Sequence, residues 1–306
     1  MHQRVTVRVP GSTSNLGSGF DCVGLAVPLW LTLTVESANG GGAAAGTIER
    51  QGTLADMDVA LTNDLLYKGF AAAARAVGKP VPQVSMKANS EIPVARGLGS
   101  SAAAVVAGAV AASALLELEL SDNSLAAIGT EIEGHPDNVA PMVYGGATLV
   151  LPQTGAAIEV ARLTLHETLA LVFAVPNFTV ETKKARAALP ATVPHPLASE
   201  AAARGAALIY GLATGDPRAL AAGLDGVLHV PYRRSLVRGY DEVTAAARNA
   251  GAFGATLSGS GPTIVAITPP DRAQHVGDAM RRAWDELGVH TETVKVNRPA
   301  GRYEIL

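Results

Sequence analysis

The sequence predicts an α+β protein built from two domains. Segments in which apolar residues alternate with polar ones, as in strands, are interspersed with longer apolar runs typical of helices. The length of 306 residues suits one large or two moderate domains, and a hydrophobic content of 48% can fill a sizeable core. A turn-rich stretch at residues 152–156 indicates a boundary, so we expect domains at residues 1–155 and 156–306.

The first half alternates between the two kinds of element. Its predicted strands are residues 5–9, 25–36, 83–89 and a run that follows Gly145 and Gly146. Its predicted helices are residues 63–78, which end at a glycine, a long apolar run over 102–116, and a helix capped by Ser121 that contains 125–132. Between these elements we expect a polar loop at residues 10–21 and a Gly/Ala linker at 39–46.

The second half also alternates between strands and helices. Its predicted strands are residues 169–175, 290–296 and a strand–glycine turn–strand unit over 254–267. Its predicted helices are residues 181–188, 201–212, 216–223, 240–249 and 272–287. Residues 230–234 are expected to form a basic loop.

The stretch from residue 93 to 103 carries the strongest functional signal. Gly97 and Gly99 allow positive φ and a close approach of a ligand to the backbone. Ser100 and Ser101 follow, and no acidic residue occurs between Gly97 and Glu117. A glycine loop that opens an apolar helix presents free amides and the positive end of the helix dipole. The pattern predicts an anion site, most commonly a phosphate site.

Other sites built from glycine loops fit less well. The Walker pattern requires a lysine after the glycines, and none follows here. The dinucleotide fingerprint fits superficially at Gly97, Gly99 and Ala102, but about eight residues separate this loop from the preceding strand. A serine hydrolase would carry Gly-x-Ser-x-Gly, which is absent from the sequence.

A second polar cluster spans residues 131–141 and contains Glu131, Glu133, His135, Asp137 and Asn138. It has neither cysteines nor a histidine pair at helical spacing, so zinc is not favoured. Carboxylates together with a hydroxyl suit Mg²⁺, which prefers oxygen ligands. The net charge of −3 gives no sign of binding to nucleic acid or anionic membranes. The lone Cys22 forbids an internal disulfide and suits a reducing compartment.

Three segments in order, at residues 10–24, 93–103 and 257–263, resemble the three conserved motifs of the GHMP kinases, a family named for galactokinase, homoserine kinase, mevalonate kinase and phosphomevalonate kinase. The likeness extends over the whole chain. It is greatest to the branch that phosphorylates L-homoserine, through residues 134–141, 182–190 and 231–233. The resemblance implies an N-terminal α/β domain like those of ribosomal proteins, a ferredoxin-like C-terminal domain, and an active site between them.

The resemblance also implies ATP and Mg²⁺ as cofactors and assigns residues to them. Asn63 is expected near the adenine, and Ser100 with Glu131 on the metal, with Glu133 as the rival metal residue. The expected ATP site comprises Asn63, Pro93, Val94, Ala95, Arg96, Gly97, Leu98, Gly99, Ser100, Ser101, Ala102 and Ala103.

An amino-acid substrate requires an anion for its ammonium group and a planar cation for its carboxylate. Asp21 can supply the first, and Arg186 and Arg233 the second, although the adjacent Arg234 can exchange roles with Arg233. By likeness, the expected substrate site comprises Asn15, Asp21, His135, Asn138, Arg186, Arg233 and Gly259, and the expected catalytic residues are Asn138, Thr182 and Arg186.

The resemblance implies no general base, because several relatives use an aspartate and Asn138 stands near that position here. The alternatives are another small-molecule kinase of the family, such as one for mevalonate, or an inactive ligand sensor on the same fold. We expect no nucleic-acid or membrane partner, a cytoplasmic location, and a homodimer on family grounds only.

Overall fold

A computed structural model of the chain describes residues 3–37, 46–152 and 158–306. The strands in these ranges are β1 (Arg4–Asn15), β2 (Gly19–Ser37), β3 (Ile48–Gly52), β4 (Val84–Ser90), β5 (Ala147–Val150), β6 (Val160–Leu163), β7 (Ala170–Pro176), β8 (Gly254–Leu257), β9 (Ile264–Thr268), β10 (Thr291–Val296) and β11 (Glu304–Ile305). The helices are α1 (Leu65–Ala76), α2 (Ser100–Leu116), α3 (Asp122–Glu133), α4 (Val139–Tyr144), α5 (Thr182–Ala187), α6 (His195–Thr214), α7 (Pro217–Leu224), α8 (Val230–Arg233), α9 (Tyr240–Asn249) and α10 (Ala273–Asp285).

Strands from both ends of the chain form the first sheet. In the described ranges its order is β11-β1-β2-β4-β3. In addition, β5 pairs with β2, and β6 pairs with β5. The β3–β4 pair is parallel, and the other pairs are antiparallel. The alanine-rich α2 is buried on almost every side, between this sheet and α1. Small residues permit that position, since a Cβ at Gly69 or Gly108 would overlap the backbone of the facing helix.

The second sheet has the order β10-β7-β9-β8, and every pair is antiparallel. That order, with the first and last strands adjacent, is the ferredoxin-like arrangement and confirms the predicted fold class. One face of the sheet, which includes Phe173 and Ile267, joins the core of the first sheet together with α6 and α7. The other face, which includes Val172, packs under α9 and α10. The shared core fixes the two sheets relative to each other.

The polar loop predicted at residues 10–21 is wrong over most of its length. The strand β1 continues through Asn15, with irregularities in register at Pro10/Gly11 and Ser14/Asn15. Ser12, Thr13 and Ser14 are fully buried, and their hydroxyls form hydrogen bonds to side chains of other segments. Hydroxyls with buried partners are stable inside the protein, so their polarity did not indicate exposure.

The predicted boundary at residue 155 and the linker predicted at 39–46, apart from Gly46, lie outside the described residues. Beyond that boundary, β6 still pairs with β5, so the first sheet extends to Leu163. The C-terminal β11 also returns to this sheet beside β1. The basic loop predicted at 230–234 is the short helix α8 followed by a 3₁₀ turn. None of the helices in the described ranges is long and apolar enough to cross a bilayer.

Candidate active site

Three glycine-rich segments that are distant in the sequence meet at a cavity of about 410 Å³. A Cβ at Gly97 would overlap the carbonyl oxygen of Ser258, and a Cβ at Gly99 would overlap the hydroxyl of Ser12. The amide of Gly259 donates to the carbonyl of Ser14 over 3.0 Å. The glycines therefore allow the three backbones to touch, and each segment presents part of the cavity wall.

The start of α2 faces the cavity. Gly99 adopts left-handed backbone angles (φ 74°, ψ 21°) immediately before the helix and provides no side chain to cap it. Of the predicted ATP residues in this loop, those on the cavity wall are Val94, Ala95, Arg96, Gly97, Gly99, Ser100 and Ser101. Leu98, Ala102 and Ala103 are buried in the core instead, and Pro93 is not on the wall. The amides at this helix start can bind an anion in the cavity.

The side chain of Arg96 anchors the loop to the second sheet. Its Nε donates to the carbonyl of Pro176 over 2.8 Å, and a terminal nitrogen donates to the carbonyl of Asn177 over 3.0 Å. These acceptors lie at the end of β7, so the guanidinium group holds the phosphate loop against the other domain. The prediction assigned this residue to the ATP site through its backbone, and sequence reasoning missed the anchoring role of its side chain.

One end of the cavity is lined by apolar side chains around Asn63. Leu54, Met57 and Val59 line it, and beside them Arg50 pairs with Asp64 at 2.6 Å. Asp64 also accepts from the amide of Leu66 and so caps α1. This end suits a flat heterocycle, and the sequence analysis named only Asn63 in it.

Glu133, not Glu131, reaches the cavity. The hydroxyl of Ser101 donates to Glu133 Oε2 over 2.7 Å, and burial raises the pKa of Glu133. Glu131 is exposed and lies off the cavity wall. Residues two apart on a helix differ in direction by about 200°, so only one of this pair can face α2. The structure therefore brings Glu133, and not Glu131, to the cavity wall that also contains Ser100.

Asp21 and Arg186, which also line the cavity, form a bidentate ion pair. The two hydrogen bonds measure 2.9 Å and 3.2 Å, and each side chain is 37% exposed. Asn15 supports this pair, because its side chain accepts from the amide of Asp21 and donates to the carbonyl of Gly259. Asn15 and Asp21 both have positive φ, at 71° and 56°. Strain of this kind persists only where the surroundings enforce it and is frequent at functional sites.

Three buried polar residues, His135, Asp137 and Asn138, also line the cavity. Asn138 accepts from the hydroxyl of Ser12 over 2.8 Å and donates to that of Ser14 over 3.0 Å. Asp137, only 1% exposed, lies 2.8 Å from His135 Nδ1. Burial lowers the pKa of His135, but the hydrogen bond to Asp137 and the charges of Asp137 and Glu133 outweigh it and raise the pKa above its usual value.

Arg233 rather than Arg234 lines the cavity. It is 2% exposed, and its Nε donates to the carbonyl of Ala185 in α5 over 3.2 Å. Arg234 points away to an exposed pair with Asp241. The hydroxyl of Thr182 lies 3.3 Å from that of Ser260 on the cavity wall. The structure therefore brings together all the predicted substrate and catalytic residues.

The cavity thus combines an anion-binding helix start with paired carboxylate and guanidinium groups. The helix start can bind a polyphosphate, and the ion pair can bind a ligand that carries both an ammonium and a carboxylate group. The carboxylate of Glu133 and the hydroxyls of Ser100 and Ser101 can hold a divalent cation.

Comparisons with known proteins identify the family of this chain. The chain matches the GHMP kinases N terminal domain over residues 64–146 and the GHMP kinases C terminal domain over 208–286. It is 39% identical to a homoserine kinase of Picosynechococcus sp. over 289 residues, which cover 93% of each chain. It is 40% identical to one of Gloeobacter violaceus over 280 residues, 91% of this chain and 92% of that one.

Solved structures show the same fold. The crystal structure of homoserine kinase from Cytophaga hutchinsonii superposes with a TM-score of 0.87 at 26% identity, covering 100% of this chain and 98% of that one. Mevalonate kinase of L. major gives a TM-score of 0.71 at 17% identity, over 96% of each chain, and shows the fold alone.

Proposed function

Because this chain belongs to the GHMP kinase family, we propose that it transfers the terminal phosphoryl group of ATP to the side-chain hydroxyl of L-homoserine. The products are O-phospho-L-homoserine and ADP, a step of threonine biosynthesis. The observation that carries this choice is the Asp21–Arg186 pair in the same cavity as the start of α2. Mevalonate has no ammonium group to pair with a carboxylate, whereas homoserine has both charges.

The protein contributes mainly by positioning the reactants and neutralising charge. We assign the amides of the loop around Gly97 and Ser100 to the triphosphate, Asp21 to the ammonium group, and Arg186 with Arg233 to the carboxylate. The δ-oxygen of homoserine attacks the terminal phosphorus, and the bond to the bridging oxygen of ADP breaks. The hydroxyl proton passes to an oxygen of the transferred phosphoryl group and then to solvent. Asn138 and Thr182 orient the attacking hydroxyl.

The mechanism without a general base gives a testable expectation for Asp137, the buried carboxylate next to Asn138. Its Oδ1 is already engaged by His135 and, at 3.4 Å, by Asn138. We expect Asp137→Asn to lower kcat less than about tenfold, since loss of a general base typically costs about 10²- to 10⁴-fold. Steady-state kinetics and homoserine binding are the measurements. Loss of turnover with binding intact would show that Asp137 accepts the proton.

We further propose that Ser100, Ser101 and Glu133 hold Mg²⁺ with the phosphates. In the described residues, no group of three or more acidic, histidine or cysteine side chains is arranged to bind a metal alone. One carboxylate with hydroxyls and phosphate oxygens fits Mg²⁺, which rarely occupies all-protein cages. When bound, the ion neutralises charge on the terminal phosphates.

Two glutamates of α3 provide a matched test of the metal position. Glu133→Gln is expected to raise the Mg²⁺ concentration for half-maximal activity at least about tenfold, the cost of one charged interaction. Glu131→Gln has the same chemistry on an exposed side chain and should leave the Mg²⁺ curve unchanged. The measurement is a magnesium titration at fixed ATP. The opposite ranking would place Glu131 on the metal.

The overall proposal is tested by a coupled ADP-release assay with homoserine, serine, threonine and mevalonate, with and without Mg²⁺. We expect release with homoserine and Mg²⁺. Release only with mevalonate would assign another reaction of the family, and ligand binding without ADP release would indicate a sensor. A cytoplasmic location and a homodimer stay predictions; light scattering in solution tests the second.

A further inference from the structure

A histidine that the mechanism does not use lies directly behind the proposed substrate site. His229 is fully buried, with Nε2 3.0 Å from the carbonyl oxygen of Gly17 and Nδ1 3.4 Å from a terminal nitrogen of Arg233. Its ring stacks on Phe20 with 5.0 Å between centroids and 18° between planes. Arg233 also lies over the Phe20 ring, 5.2 Å from its centroid.

The partners of His229 fix its tautomer. A carbonyl oxygen only accepts hydrogen bonds, so Nε2 carries the proton toward Gly17. A guanidinium group only donates, so Nδ1 is unprotonated toward Arg233. The imidazole of His229 is therefore neutral, and both of its nitrogens form hydrogen bonds. Burial and the charge of Arg233 lower the pKa of His229 to about 3, so it stays neutral at ordinary pH.

These contacts close a ring of residues around the proposed receptor for the two substrate charges. From His229 the ring passes to Arg233, and from Arg233 Nε to the carbonyl of Ala185. The next residue, Arg186, pairs with Asp21. Asp21 follows Phe20, which stacks on His229 and completes the ring.

We propose that His229 is a positioning residue that sets the separation between Asp21 and the two arginines, and so selects substrates whose ammonium and carboxylate groups lie on one carbon. This inference rests on the proposed function. The residues that we assign to ATP, around Asn63 and the start of α2, are not members of this ring. The effect of changing His229 should therefore fall on homoserine and not on ATP.

Three substitutions at one position separate the roles of the ring and its nitrogens. His229→Phe keeps an aromatic ring but loses both hydrogen bonds, and should raise the KM for homoserine at least about tenfold. The KM for ATP and kcat at saturating homoserine should stay within about threefold of wild type. His229→Asn retains a polar group near Nδ1, and His229→Gln retains one near Nε2. Each should therefore raise the KM for homoserine less than His229→Phe does. A general structural role would not split KM from kcat in this way.

The matched control is His275→Asn, because His275 is exposed on α10, away from this ring. If His229→Phe folds and its KM for homoserine stays within about twofold of wild type, the inference is overturned. If that variant does not fold, Phe20→Leu gives the decision, because it removes the stack and should also raise the homoserine KM while Phe20→Tyr should not. An unchanged KM for Phe20→Leu would likewise overturn it. Wild-type protein inactive on homoserine would instead refute the proposed function.

Discussion

Asparagine in place of Asp21 is expected to raise the KM for homoserine about 10- to 100-fold, with a much smaller effect on the KM for ATP. The substitution removes the anion that we assign to the substrate ammonium group, and a hydrogen bond to a charged group contributes about 1.5–3 kcal/mol. It also leaves Arg186 without its bidentate partner. Steady-state kinetics with each substrate varied in turn measure both constants.

The Asp21–Arg186 pair also predicts how the enzyme discriminates between substrates. A ligand with both charges can replace each half of the ion pair, whereas 4-hydroxybutanoate leaves Asp21 without a partner. Wild type should therefore have a much higher kcat/KM for homoserine than for 4-hydroxybutanoate. Asp21→Asn should lower the ratio of these two kcat/KM values. Asp278→Asn is the control, because Asp278 forms an exposed pair with Arg281 on α10. A preference that is unchanged in Asp21→Asn would show that Asp21 does not bind the ammonium group.

The sequence was sufficient to predict the glycine loop and the helix that follows it, because that signal is local. Gly97, Gly99 and the following serines lie within five residues of one another, and a helix start needs no distant partner to bind an anion. The strands with clear alternation and the helices with clear stops were predicted for the same reason. The family likeness supplied the arrangement of the two domains, which local pattern alone did not.

The choice between Glu131 and Glu133 required the rotation of α3. Helical spacing favours Glu133 as the residue that faces the cavity. It lies four residues after Gly129 and seven after Ala126, so it shares the face of α3 that carries these two buried residues. The role of His229 had no comparable signal. Its partners Gly17 and Phe20 come from another segment, 212 residues away in the first case. The anchoring role of Arg96 was hidden for the same reason, since its acceptors are backbone carbonyls about 80 residues further along the chain.

The largest effect on stability is expected from Gly97→Ala. Gly97 has φ of 74°, which costs a residue with a Cβ about 1–2 kcal/mol. A Cβ there would also overlap the carbonyl oxygen of Ser258, and that backbone cannot retreat without separating two of the three loops. We expect the free energy of unfolding to fall by at least about 4 kcal/mol, at the high end for single substitutions.

Comparison with Gly78→Ala separates the steric part of this loss of stability from the cost of the backbone conformation. Gly78 has φ of 69°, almost the same as Gly97, and nothing lies within 4 Å of a Cβ built on it. This control should lose only about 1–2 kcal/mol, the cost of the backbone conformation. Urea unfolding of both variants gives the comparison, and ATP titration of the folded fraction shows whether loop contact also sets nucleotide affinity. Equal losses for the two variants would mean that the contact between Gly97 and Ser258 does not hold the loops together. A larger loss for Gly97→Ala, accompanied by weaker ATP binding, would show that the same close approach of two backbones supports both the fold and the phosphate site.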